Sequence, residues 1–152
     1  MSICIFGYGN TLRSDDGLGV YAAQLLLQSF PDFAGRIVTC QQLGPELVED
    51  LQAAELVIFI DAGCETPPGH ISCKPVQPRE TAPVGVSHHF SPETLLALCQ
   101  AFYGRAPEAW LFSVGAASFE IGEALTPTVN KALPGLVQKI LCHIRDYRSA
   151  KH

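Results

Sequence analysis

Five consecutive apolar residues, Leu56-Val57-Ile58-Phe59-Ile60, run without a polar interruption and stop at Asp61. A strand half exposed to water alternates apolar and polar positions. A strand that is apolar throughout must be covered on both faces. That requirement asks for a sheet with helices packed on each side. The rest of the chain supplies the parts. Strands are expected at residues 3–6, 36–40, 70–76 and 110–114, the first stopping at Gly7. Helical periods are expected over about 15–30 and 45–54, with turn-rich chain at 63–69 and loop-like chain at 77–90. Ser91-Pro92 reads as N-cap and N1 of a helix that ends at Gly104. Thr126-Pro127 opens a last helix to about residue 147, where Pro134 is a place to kink or split. Strands alternating with helices predict an α/β, three-layer fold, a mostly parallel twisted sheet of about five strands with helices on both faces. The 152 residues suit a single domain, 1–152. Open sheets of this kind carry their sites at the C-terminal strand ends. The loops after Phe6, Ile60 and Val114 are therefore the places to search.

Composition narrows the function. Hydrophobic residues make up 47% of the chain and charged residues 16%, so core material is ample and covering charge is scarce. The formal net charge of −5 and the lack of any Lys/Arg run argue against a general nucleic-acid binder. The apolar runs are too short to span a bilayer, and the first residues read as a strand rather than a signal peptide. Six cysteines are present without a C-x-x-C pair, which disfavours zinc-ribbon and thioredoxin-type sites. Reduced thiols and a cytoplasmic location are expected.

The first loop, Gly7-Tyr8-Gly9-Asn10-Thr11-Leu12-Arg13-Ser14-Asp15-Asp16-Gly17, resembles a dinucleotide fingerprint only in part. Leu12 stands where a third glycine should, and two carboxylates sit where a helix N-terminus would receive phosphate. Ser14-Asp15-Asp16 also reads as a helix cap with acids in the first turn. Asp61 ends the central strand, where it either caps a loop or does chemistry. Ser87-His88-His89 adds imidazole, and adjacent side chains in an extended segment point to opposite sides. Two carboxylates and one imidazole form a mixed O,O,N set. Such a set can hold a first-row metal while leaving positions open for metal-assisted hydrolysis.

The segment Ile5-Phe6-Gly7-Tyr8-Gly9-Asn10-Thr11-Leu12, with Asp15-Asp16-Gly17-Leu18-Gly19-Val20, resembles the opening of the nickel-iron hydrogenase maturation protease family. The resemblance continues at Leu43-Gly44-Pro45-Glu46-Leu47, Val57-Ile58-Phe59-Ile60-Asp61-Ala62 and Leu125-Thr126-Pro127-Thr128-Val129. It implies a cytoplasmic, aspartate-dependent endopeptidase acting as a monomer. Its partner would be a hydrogenase large-subunit precursor, from which it removes a C-terminal extension. The implied metal is nickel carried by that precursor, with no organic cofactor. The implied site residues, both catalytic and metal-contacting, are Asp16, Asp61 and His89. Asp16 is one methylene shorter than the Glu frequent in relatives. Matching Ser87 to the family's Ser selects His89, and a shift of one residue selects His88. The Leu43 to Leu47 and His-His segments look nearest to the proteases of bidirectional, NAD-linked hydrogenases. Two other readings remain: a cysteine hydrolase using Cys64 with His88 or His89 as base, and a non-cleaving nickel-sensing chaperone.

Overall fold

The computed structural model describes residues 2–79 and 90–151. Its strands are β1 (Ile3–Tyr8), β2 (Arg36–Cys40), β3 (Leu56–Pro68), β4 (Ile71–Val76) and β5 (Glu108–Gly115). Its helices are α1 (Leu18–Ser29), α2 (Val48–Gln52), α3 (Pro92–Tyr103) and α4 (Pro127–Ala150). The strands form one sheet in the order β2-β1-β3-β5-β4. Only β4 runs antiparallel, along β5 at the edge, where its Pro75 removes no ladder bond from a central strand.

The apolar run in β3 behaves as its sequence demands. Leu56, Ile58 and Ile60 pack on one face with Leu18 and Ala22 of α1 and Leu136 and Ile140 of α4. Val57 and Phe59 pack on the other with Leu51 of α2 and Leu95, Leu96 and Cys99 of α3. All five strand residues are fully buried. The fold is the expected three-layer α/β arrangement. The caps of α3 are also as expected: Ser91 Oγ accepts the Thr94 N–H, and Gly104 closes the helix at φ 73°.

Several boundaries differ from the sequence reading; β5 and α4 simply run a few residues longer. β1 continues through Gly7 to Tyr8, because Gly7 lets α1 come close: a Cβ there would collide with the Gly19 carbonyl. β3 stays extended to Pro68 instead of turning at Gly63, with an irregular register against β5 between Gly63 and Pro68. Residues 14–17 form a short 3-10 turn, and α1 begins only at Leu18. Ser14 has φ 53° and makes no cap; its hydroxyl donates to the Glu120 carbonyl at 2.7 Å. The segment at 45–54 likewise divides into a 3-10 turn (Pro45–Leu47) and the short α2. Pro134 lies inside α4 without splitting it.

Candidate active site

Side chains alternate along a strand, so each face of the sheet can be followed to its end. Phe6, Phe59 and Leu111 belong to the layer under α2 and α3. Two residues on, each strand replaces the apolar side chain with a polar one: Tyr8, Asp61 and Ser113. The parallel register sets Gly7 opposite Ile60 and Asp61 opposite Ser113. The three polar residues thus form one row across β1, β3 and β5, where the apolar side chains on this face give way to polar ones. Tyr8 Oη donates to Asp61 Oδ2 at 2.9 Å, and Ser113 Oγ donates to Asp61 Oδ1 at 2.8 Å. Burial raises the Asp61 carboxyl above its ordinary value. The two hydroxyls and Lys74 oppose that shift, and the neighbouring charge of Asp16 adds to it. Tyr8 is in turn pushed well above its usual value by burial and by Asp61.

Asp16 reaches the same place from the first loop. Gly9 makes the turn at φ 140°, where any Cβ would run into the Asp16 backbone. Its N–H donates to the Cys40 carbonyl at 3.1 Å, tying the loop to β2. The Asn10 N–H then donates to Asp16 Oδ2 at 2.8 Å, and Asn10 Oδ1 accepts the Leu12 N–H at 2.9 Å. Asp16 and Asp61 both line a cavity of about 510 Å³, together with Tyr8, Arg13, Gln41 and Phe90. The cavity opens where the chain, having placed β2 on one side of β1, returns to place β3 on the other. That is the topological switch point of the sheet.

Asp15, next in sequence to Asp16, goes elsewhere. It is fully buried. Its carboxylate accepts the N–H groups of Ala117, Ser118 and Thr126 at 2.8, 3.1 and 2.8 Å, and the Thr126 hydroxyl at 2.9 Å. Thr126 precedes the first turn of α4, so Asp15 serves that helix and the 116–126 loop rather than α1. The cap expected from Ser14-Asp15-Asp16 is therefore replaced by a long-range tie.

Of the expected site residues, Asp16 and Asp61 come together; His88 and His89 lie outside the described residues. Among the described residues no group of three His, Cys, Asp or Glu side chains is placed to hold a metal ion. Cys64 is exposed on β3 and does not line the cavity. All six cysteines are free, with Cys4 and Cys99 buried in the core. Burial pushes the Cys4 thiol up to about 12, which leaves it inert. Sequence alone does not single out Tyr8, Ser113 or Arg13. The signal for the first two was the polar residue that ends each apolar alternation.

Structural neighbours of this fold include hydrogenase maturation proteases. The hydrogenase maturating endopeptidase HybD from E. coli matches at TM-score 0.78 and 27% identity, over 97% of this chain and 94% of that one. The hydrogenase 2 maturation peptidase of a Thaumarchaeota archaeon matches at 0.69 and 25%, over 95% and 98%. The maturation protease HycI from Thermococcus kodakarensis shares the fold at 0.72 and 23%, over 91% and 88%. No protein-family model and no curated protein matches the sequence. The likeness to the maturation endopeptidases makes the chain a peptidase. Among the described residues no helix is long and apolar enough to cross a membrane.

Proposed function

We propose that this peptidase removes the C-terminal extension of a nickel-loaded hydrogenase large-subunit precursor, acting as a monomer in the cytoplasm. The observation that carries the reading is the pair of carboxylates, Asp16 and Asp61, facing one cavity at the switch point of the sheet. Nickel is part of the substrate here. The precursor brings it on its own thiolates, and Asp16, Asp61 and His89 add oxygen and nitrogen donors. Phe90, the covalent neighbour of His89, lines the cavity, which supports a ligand from that segment. Hydrolysis then adds the oxygen of water to the scissile carbonyl, breaks the C–N bond and gives a proton to the leaving amine. Asp61, more basic than an exposed carboxylate, suits the group that takes the proton from water. The segment Leu43-Gly44-Pro45-Glu46-Leu47 inclines the substrate toward a bidirectional, NAD-linked hydrogenase.

The conditional step is recognition. The extra donors contribute binding only when nickel is present, so the nickel-free precursor should stay intact. Purified precursor, with and without nickel, incubated with the protein and followed by electrophoretic size, tests this. The expected result is a shift for the loaded form alone. Equal cleavage of both forms would remove nickel from recognition, and binding without any shift would favour the chaperone reading. His89→Ala should stop processing while His88→Ala leaves most of it; the reverse would move the ligand by one residue. Cys64→Ser should process normally, since Cys64 lies off the cavity.

A further inference from the structure

A cavity of about 510 Å³ has room for a few peptide groups and little more. A protein substrate recognised specifically needs contact on the order of 800 Å² per partner. Most of that contact must lie on the rim. One part of the rim displays exposed apolar side chains. Ile121 is 88% exposed, Leu12 57% and Phe119 39%. Leu12 is four positions before Asp16, and it lines a smaller cavity of about 260 Å³. That cavity shares Gly9, Asn10 and Gln41 with the carboxylate cavity, so Leu12 lies at the margin of the candidate cleft.

These side chains are displayed on a rigid platform. The Gly122 N–H donates to the Leu12 carbonyl at 2.9 Å, and the Ser14 N–H donates to the Gly122 carbonyl at 2.8 Å. Arg13 and Gly122 form a parallel bridge, which sets Ile121 beside Leu12. The Asp15 N–H donates to the Ser118 carbonyl at 3.1 Å, while its carboxylate takes the Ala117 and Ser118 N–H groups. The Tyr21 hydroxyl fixes the Glu123 carbonyl at 2.6 Å. A loop held at this many points pays little ordering entropy on binding. Large apolar side chains kept in water on such a loop mark an interaction surface.

We infer that Leu12 and Ile121, with Phe119 on the same loop, form the docking surface for an apolar face of the precursor, next to the extension that enters the cleft. The inference rests on the reading under Proposed function and adds where the folded part of the substrate sits. Two variants test it, Leu12→Asp and Ile121→Asp, each checked by circular dichroism, with Asp61→Asn as the inactive control. Initial processing rates are measured against the concentration of nickel-loaded precursor. The surface model expects KM to rise about tenfold or more for Ile121→Asp, with kcat within about twofold of wild type. Unchanged kinetics in both variants would overturn it. So would a fall in kcat at constant KM, which would mean the loop shapes the site instead. A wild-type dimer that Ile121→Asp converts to monomer would assign the patch to a second copy of this chain and also overturn it. Precursor left uncut by wild type sinks the underlying reading; loss of cutting in Asp61→Asn alone, with both surface variants normal, sinks only the docking surface.

Discussion

Asp15 and Asp61 are both carboxylates withdrawn from water, and their surroundings could hardly differ more. Asp15 is enclosed, and three backbone N–H groups and a hydroxyl fill its acceptor sites. Asp61 receives two hydroxyls, one on each oxygen, and otherwise faces a cavity. A carboxylate oxygen accepts about two hydrogen bonds, so Asp61 retains capacity on both oxygens. The satisfied acid holds the fold together; the under-satisfied acid, raised in pKa and open to a cleft, is available for chemistry. Asp16 lies on the open side of the same division although it is covalently joined to Asp15.

The largest effect should come from removing the open charge. Asp61→Asn keeps size and can still bond Tyr8 and Ser113, whose hydroxyls turn to suit. Processing of nickel-loaded precursor should fall by a factor on the order of a thousand, as for other electrostatic site groups, with an unchanged circular dichroism spectrum. Normal cleavage would erase the functional half of the comparison. Asp15→Ala should do the opposite. It leaves three part-buried N–H donors without their acceptor and loosens the joint between the first loop and α4, costing about 2 kcal/mol or more. Chemical denaturation measures it; a cost below about 1 kcal/mol would show that water replaces the carboxylate. A smaller effect should follow Ser113→Ala, which takes one donor from Asp61 and should cost about 1 kcal/mol. No measurable change would mean the row across the three strands is not a coupled unit.

The two acids also differ in how far the sequence exposes them. The continuous apolar run that stops at Asp61 demands a strand covered on both faces, and sheet topology then places the end of that run at the candidate site, although β3 itself continues to Pro68. Ser91, Pro92 and Gly104 declare the ends of α3 just as directly, because caps are local chemistry. Asp15 cannot be read this way. Its partners lie 102 to 111 positions downstream, so local rules offered only a helix cap. Ser14 misled for the same reason: its hydroxyl is taken by Glu120, 106 positions away. Tyr8 and Ser113 become partners of Asp61 only once the register of three strands is set, a tertiary fact. The imidazole expected from His88 or His89 falls outside the described residues, so that part of the O,O,N set rests on resemblance.

The smallest effect tests the energetic side of the open acid in the isolated protein. The folded-state pKa of Asp61 is raised, chiefly by burial, above its value of about 3.9 in an unfolded chain. The folded form then holds its proton more tightly than the unfolded form does. Stability from this group is fully present below about pH 4, where both states are protonated, and is lost as pH rises through the folded value. Asp61→Asn cannot titrate. The melting temperature of wild type relative to this variant should therefore be highest in acid, decline from about pH 4 to the raised pKa, and stay level above it. Taking the difference between the two proteins cancels the other carboxylates, which titrate in both. A difference that instead grows with pH would mean that the hydroxyls of Tyr8 and Ser113, together with Lys74, outweigh burial. Asp61 would then be a structural anion of the same kind as Asp15, and the contrast between the two acids would disappear.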